Sequence, residues 1–370
     1  MFDMNRREML RRMMESGGFA NGIPRSDAMA PAWSLPLLSM ITAAAGLAAG
    51  STSTGETLAS SLSIPNTTVV SVPHHEHNPT IPLSGTIASC NNNATVVPTS
   101  LRRVVLDTAS SGSSSVHIEA WLPDSRNEWL ITTAGGGLGG CRDYATMRVS
   151  APLDFASFGM NGGHNGSSYD AFLRKSEVIR DVGERAMHVQ VEVAKEVVKQ
   201  YYAHKTAYSY YVGCSTGVRQ GLSSETLYPH NFDGMLVGAP GVEWVCIVGH
   251  WYTQAQRYGW PDVTSPRYVD LAQFRVINEK GVELFDAADG AENGYIDDSS
   301  RLRIKPQIFA CGTGLLNTSG CLRNAQHVES VRLAYGLQVD GEGNIVSPLW
   351  NGVPTQRLDR NARNGSEVPR

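Results

Sequence analysis

From Ala207 to Val212 the chain reads AYSYYV, an aromatic, β-favouring run. It passes without a spacer into Gly213-Cys214-Ser215-Thr216-Gly217, and a helical segment follows from about Val218 to Leu227. A strand that must turn at once into a helix has room only for small residues at the corner. Gly213 and Gly217 supply them, two positions either side of Ser215. The serine is then held in a strained conformation with its hydroxyl above the sheet edge. The Thr216 N–H and the helix N-terminus face any negative charge that develops there. No other stretch constrains the fold as much, because this one demands a sheet, a helix packed on it and an exposed corner between them.

The flanking sequence supplies the rest of such a sheet. Ser115–Pro123 alternates, with Val116, Ile118, Ala120 and Leu122 on one face, as a half-buried strand would. Trp129–Thr133, Phe155–Met160 and Phe232–Gly238 read as further strands. Between them, Asp181–Tyr202 reads as a long helix, with Ala186, Val189, Val193, Val197 and Tyr201 spaced by three and four. Strands alternating with helices predict a mostly parallel sheet covered on both faces. The strand, Gly-x-Ser-x-Gly and helix together form the nucleophile elbow of α/β-hydrolases, with Ser215 as nucleophile. The strand at Trp129 ends in Ala134-Gly-Gly-Gly-Leu-Gly-Gly140, then Cys141. In a hydrolase such a loop offers an oxyanion a second N–H, here from Gly136 or Gly137, beside that of Thr216. It lacks the Gly-Lys-Ser/Thr ending of a phosphate loop.

The 31 Lys+Arg against 35 Asp+Glu give a net charge of -4, which excludes a generally basic nucleic-acid binder. Residues 1–27 carry five arginines, no charge falls between Ala28 and Gly55, and Leu35–Ala49 is apolar and rich in small residues. Residues 1–50 therefore read as a secretory leader, and the apolar run is short for a stable membrane span. Residues 51–88, rich in Ser, Thr, Pro and His, read as a flexible linker; His74, His75 and His77 fit a solvated loop better than a metal site. On a secreted chain the sequons at Asn66, Asn93, Asn165, Asn317 and Asn364 would accept glycans. Its six cysteines, which include no Cys-x-x-Cys pair, would form disulfides rather than a zinc ribbon.

Asp286-Ala-Ala-Asp-Gly-Ala-Glu-Asn-Gly-Tyr-Ile-Asp297 sets side-chain oxygens of Asp286, Asp289 and Asn293 at short intervals, with Gly290 and Gly294 to turn between them. Hard oxygen donors on a tight loop suit Ca²⁺, though the spacing is not that of an EF-hand and also fits solvated Asx-turns.

Gly213-Cys-Ser-Thr-Gly-Val-Arg-Gln-Gly221, Tyr228-Pro, Asn231-Phe-Asp-Gly234, Gly238-Ala-Pro240, Gly162-Gly-His-Asn-Gly-Ser167 and the loop ending Gly140-Cys141 occur in that order. In these motifs the chain resembles the tannase and feruloyl esterase family over roughly residues 88–350. The resemblance implies an α/β-hydrolase domain over 89–242 and a lid over 243–370. It also implies activity on phenolic-acid esters such as galloyl or feruloyl esters, as small-molecule substrates of a secreted enzyme. A similar lid loop binds calcium in that family. Carried over, the ligands would be Asp286, Asp289 and Asn293 with the carbonyls of Ala291 and Tyr295. The resemblance implies disulfides Cys90–Cys141 and Cys311–Cys321, leaving Cys214 unpaired and Cys246 as a buried thiol. Val218 stands where the family has Gly, which would narrow the approach to the serine. Asn293 stands for Asp, which would weaken calcium binding, and Phe285 replaces a cysteine.

A serine hydrolase also needs a base and an acid to orient it, in the order Ser, Asp, His. The family's His-Cys pair, whose Cys bonds the Cys before the nucleophile, does not occur here. After Ser215 the only histidines are His230, His250 and His327, none placed as the motif requires. His164 precedes the serine and reads as structural, with lining the site as the alternative. Both domains thus read as incomplete, with the family's sequence continuing beyond Arg370. The alternative expectation is a catalytically inactive, truncated remnant; a calcium-dependent binding module would leave the elbow unexplained.

Overall fold

The computed structural model describes residues 61–83, 87–90, 94–294, 296, 302, 304–313, 320–336, 338–339 and 341–347. The leader-like segment and the sequons at Asn93, Asn317 and Asn364 lie outside them. The chain divides after Val242 into two compact units.

The first unit holds an eight-stranded sheet. Its strands are β1 (Thr67–Ser71), β2 (His74–His75), β5 (Leu101–Ala109), β6 (Ser115–Pro123), β7 (Trp129–Ala134), β8 (Ala156–Met160), β9 (Tyr208–Cys214) and β10 (Gly234–Gly238). The spatial order is β1-β5-β6-β8-β7-β9-β10, with β2 also paired to β5. From β8 to β10 all neighbours are parallel, whereas β1, β5, β6 and β8 pair antiparallel. A separate ribbon pairs β3 (Thr80–Pro82) with β4 (Ala94–Val96). The α/β-hydrolase-type sheet is thus present, with the elbow in its parallel half. Among the described residues β10 is the last strand on that side; its five residues are all half-buried.

Helix α1 (Tyr144–Ser150) follows β7, and α2 (Ser176–Arg180) follows β8. A π-turn, Asp181–Arg185, joins α2 to α3 (Ala186–Tyr202), so the long helix expected from Asp181 is a π-turn followed by an α-helix. The stripe of α3, with Ala186, Val193, Ala194 and Val197, joins one core with Val104, Leu106, Ile118, Ala120 and Phe158 of the sheet. Helix α4 (Thr216–Leu227) begins at the elbow.

Two expectations fail here, for related reasons. Residues 61–83 are not a linker: β1 and β2 extend the sheet, and Leu62, Ile64 and Val72 join the main core. Nor is β6 half-buried. Its second face is roofed by Ile81, Leu83, Tyr144, Met147 and Ala151, so Trp121 is as buried as its alternating neighbours. That roof also encloses Glu119, which is 0% exposed. Arg103 donates to its carboxylate through Nε and Nη2 at 2.7 and 3.0 Å, Trp121 Nε1 at 2.8 Å and the Tyr144 hydroxyl at 2.8 Å. Arg142 lies 3.7 Å away and donates through Nε to the Tyr144 oxygen at 2.7 Å. A buried carboxylate is tolerable only when so fully paired.

The second unit holds α5 (Trp244–Arg257), α6 (Leu271–Phe285) and α7 (Ala325–Tyr335); α6 and α7 pack on a core of Val269, Ile277, Phe309, Leu322 and Val331, and α5 lies against α7. Asp270 and Gln273 form a capping box at the start of α6, and Arg257 donates to the last carbonyls of α7. None of the described helices is long and apolar enough to cross a membrane.

Replacing Glu119 with Gln removes the charge that offsets Arg103 and Arg142. This should cost about 3–5 kcal/mol, seen as a lower urea midpoint with the slope unchanged.

Candidate active site

The corner between β9 and α4 is built around Tyr211, which is fully buried. Its hydroxyl donates to the Gly217 carbonyl at 2.5 Å, and its ring stacks on Phe232. A methyl group at Gly213 would overlap that hydroxyl, and one at Gly217 would stand 2.9 Å from the Ala134 carbonyl and 3.1 Å from the same hydroxyl. The two glycines of the motif are therefore required by the aromatic ring beneath them as well as by the turn. Ser215 sits between them at φ 57, ψ -114, a conformation that a non-glycine residue adopts only when its surroundings impose it. Its N–H donates to the Gly238 carbonyl at 3.0 Å, which ties the turn to the end of β10. Its side chain is half-buried, and its hydroxyl has no hydrogen-bond partner among the described residues.

The loop after β7 lies against this corner. A methyl built at Gly136 would touch Ser215 Cβ at 3.8 Å, and the Thr216 hydroxyl donates to the Gly137 carbonyl. Gly137 has φ 62. Gly136, Gly137 and the first N–H of α4 are thus gathered beside the serine. Helix N-terminal N–H groups have no acceptor within their own helix, so the Thr216 N–H is available to a ligand.

The π-turn floors the loop. Val182 meets Gly139 and Gly162, and Gln220 of α4 donates to the Val182 carbonyl at 2.9 Å. Buried Asp181 accepts from Ser110 and Ser114 at 2.7 and 2.5 Å and from Arg185 at 2.6 Å. Single π-turns recur beside functional sites. Neither Asp181 nor Tyr211 stood out in the sequence. A tyrosine two residues before the first motif glycine was the available signal for the latter.

Other site residues fall as follows. Val218 is 1% exposed, its branched side chain covered by the fold. His164 is buried beside Gly140, edge-on to Phe172 at 4.8 Å between centroids, and neither of its ring nitrogens has a hydrogen-bond partner among the described residues. Burial lowers its pKa, while the nearby Gly162 and Gly166 carbonyls pull the other way. No described histidine hydrogen-bonds Ser215. His230 uses its carbonyl to hold Lys195, and His327 is buried against Gln273 in the second unit.

Cys90–Cys141 and Cys311–Cys321 are disulfides; Cys214 and Cys246 are free. Cys246 is exposed rather than buried, because α5 buries none of its residues. The residues of the acidic loop belong to the second unit. Asp286 ends α6 and its carboxylate accepts from the Gly294 N–H at 2.8 Å, closing the loop; Gly290 and Gly294 have φ 102 and 78. Ala291 and Asn293 are exposed, and Tyr295 lies outside the described residues. No group of three His, Cys, Asp or Glu side chains converges among the described residues.

A family model described as tannase and feruloyl esterase matches residues 101–354. The chain belongs to the tannase and feruloyl esterase family. It is 32% identical over 310 residues to a probable feruloyl esterase B-2 of Neosartorya fischeri, covering 83% of this chain and 56% of that protein. It is 32% identical over 296 residues to feruloyl esterase C of Talaromyces stipitatus, covering 79% and 52%. The crystal structure of feruloyl esterase B from Aspergillus oryzae superposes with a TM-score of 0.68 at 30% identity, over 79% of this chain and 58% of that one. The chain therefore spans a little over half the length of these relatives.

The depressed His164 pKa has a sign that can be checked. The unfolded chain takes up a proton near pH 6.5 that the folded chain takes up only at lower pH. Stability should fall as pH drops below about 6.5, and His164→Gln should flatten the pH dependence of the urea midpoint without abolishing it, because His75 and His327 are shifted the same way.

Proposed function

We propose that this chain carries the nucleophile and oxyanion groups of a secreted serine carboxylic ester hydrolase acting on phenolic-acid esters of the feruloyl or galloyl class. The observation that carries the reading is Ser215 itself: strained, accessible and unpartnered, at a helix N-terminus, with a glycine loop in contact beside it. The substrate class rests on the relatives, which are named as feruloyl esterases. The two disulfides fit an oxidising compartment.

Ser215 Oγ attacks the ester carbonyl carbon, and the carbonyl oxygen takes negative charge. The Thr216 N–H and that of Gly136 or Gly137 stabilise it, an interaction stronger in the transition state than in the ground state. Collapse expels the alcohol and leaves an acyl-serine, which water then hydrolyses. The hydroxyl proton must pass to a base, and no described residue is bonded to receive it. Acting alone, the described site retains the contribution of oxyanion stabilisation and binding, on the order of 10³–10⁴ over water, and lacks that of the base.

A fluorophosphonate probe should label the chain slowly at Ser215, and Ser215→Ala should abolish labelling. Release of ferulate or gallate from model esters should be slow and depend on the same residue. No Ser215-dependent labelling and no release would reject the nucleophile and favour the inactive remnant.

We further propose that the acidic loop takes Ca²⁺. The donor set is all hard oxygen, from Asp286, Asp289 and Asn293 with the Ala291 and Tyr295 carbonyls, and the Asp286–Gly294 bond already draws the two ends of the loop together. Bound there, the ion would brace the second unit and take no part in acyl transfer. Calorimetric titration should detect one site, and Asp289→Ala should weaken it at least tenfold.

A further inference from the structure

The loop that lies against Ser215 has almost nothing of its own to hold it. Five of the seven residues from Gly135 to Cys141 are glycine, so side-chain packing cannot fix its path and its unrestrained freedom is large. Its order comes from outside contacts. At one end it continues from β7, and in the middle the Thr216 hydroxyl bonds the Gly137 carbonyl. At the other end three short pieces of chain meet. Gly166 N–H donates to the Gly140 carbonyl at 2.8 Å, and Ser167 N–H donates to Ser89 Oγ at 3.3 Å. Ile87 packs so closely on Gly166 that no side chain would fit there. The 3₁₀ turn Ala88–Cys90 is thereby docked, and Cys90 is bonded covalently to Cys141. The loop closes on itself at the same place, since a side chain at Gly135 would overlap the Cys141 carbonyl.

We propose that the Cys90–Cys141 disulfide is a positioning element for the oxyanion loop: it anchors the end of Gly135–Cys141 so that the Gly136 and Gly137 N–H groups stay beside Ser215. In its consequence for rate this rests on the nucleophile reading above; in its consequence for loop order it does not. A disulfide that merely stabilised the fold would act on the unfolded chain and leave the folded loop unchanged. The Cys311–Cys321 disulfide, in the second unit, provides that comparison.

The test compares the whole chain with C90A/C141A and with C311A/C321A. Two readouts are used: amide hydrogen exchange over residues 134–141, and the saturation kinetics of fluorophosphonate labelling at Ser215. In C90A/C141A the loop amides should exchange at least about tenfold faster. The maximal labelling rate should fall about tenfold or more, a fraction of the ~10²–10³ that losing an oxyanion donor costs, with half-saturation unchanged. C311A/C321A should move neither. Unchanged loop exchange in C90A/C141A, or equal loosening in both variants, overturns the proposal. Labelling that stays at the original maximal rate overturns it as well. An unlabelled parent chain would instead sink the nucleophile reading, and exchange would still decide the loop. If C90A/C141A does not fold, the C311A/C321A chain is folded oxidised and then reduced with a phosphine, and the same two readouts are compared before and after.

Discussion

Tyr211 lies under the corner where β9 becomes α4, and the rest of the site is arranged around it. Its ring occupies the space that side chains at Gly213, Gly217 and Gly221 would need, and its hydroxyl holds the Gly217 carbonyl. The ring leaves the chain above it one narrow path, and Ser215 lies on that path with φ 57. Strain at a nucleophile persists only where surrounding packing over-determines it. Here the packing is a core aromatic continuous with Phe232 and the main hydrophobic cluster, so the conformation of the serine is coupled to the stability of the sheet.

Around that corner, order is transmitted through buried polar groups. Asp181 ties the β5–β6 turn, through Ser110 and Ser114, to the π-turn that floors the glycine loop. Glu119 ties β5, through Arg103, to Arg142 and Tyr144 just past the loop's end. Both carboxylates are fully enclosed and each has several donors. Removing one partner from such a set leaves a buried charge with nothing opposite it, so these groups define a single arrangement more strictly than apolar packing would.

The parts of the fold legible in the sequence were those with a local signature. β6, β7, β8 and α3 follow from hydrophobic period, and the elbow follows from two glycines flanking a serine between a strand and a helix. The residues misread were those whose environment is set from elsewhere in the chain. Glu119 and Trp121 look like the outer face of β6 until Ile81, Leu83 and α1 roof them. The stretch 61–83 has linker composition, yet its few apolar residues reach the core and its backbone pairs with β5. Within the site, Ser215 and Thr216 were readable from the motif, whereas the role of Tyr211 appears only when its ring is seen against the glycines.

Among the described residues β10 pairs with β9 alone, and its apolar residues Met235, Leu236 and Val237 are only half covered. Gly234–Gly238 has neither charge nor proline, so its backbone would accept a further strand on the side away from β9. The Gly238 carbonyl at the end of this strand also accepts from the Ser215 N–H, so whatever covers β10 bears directly on the corner that holds the serine.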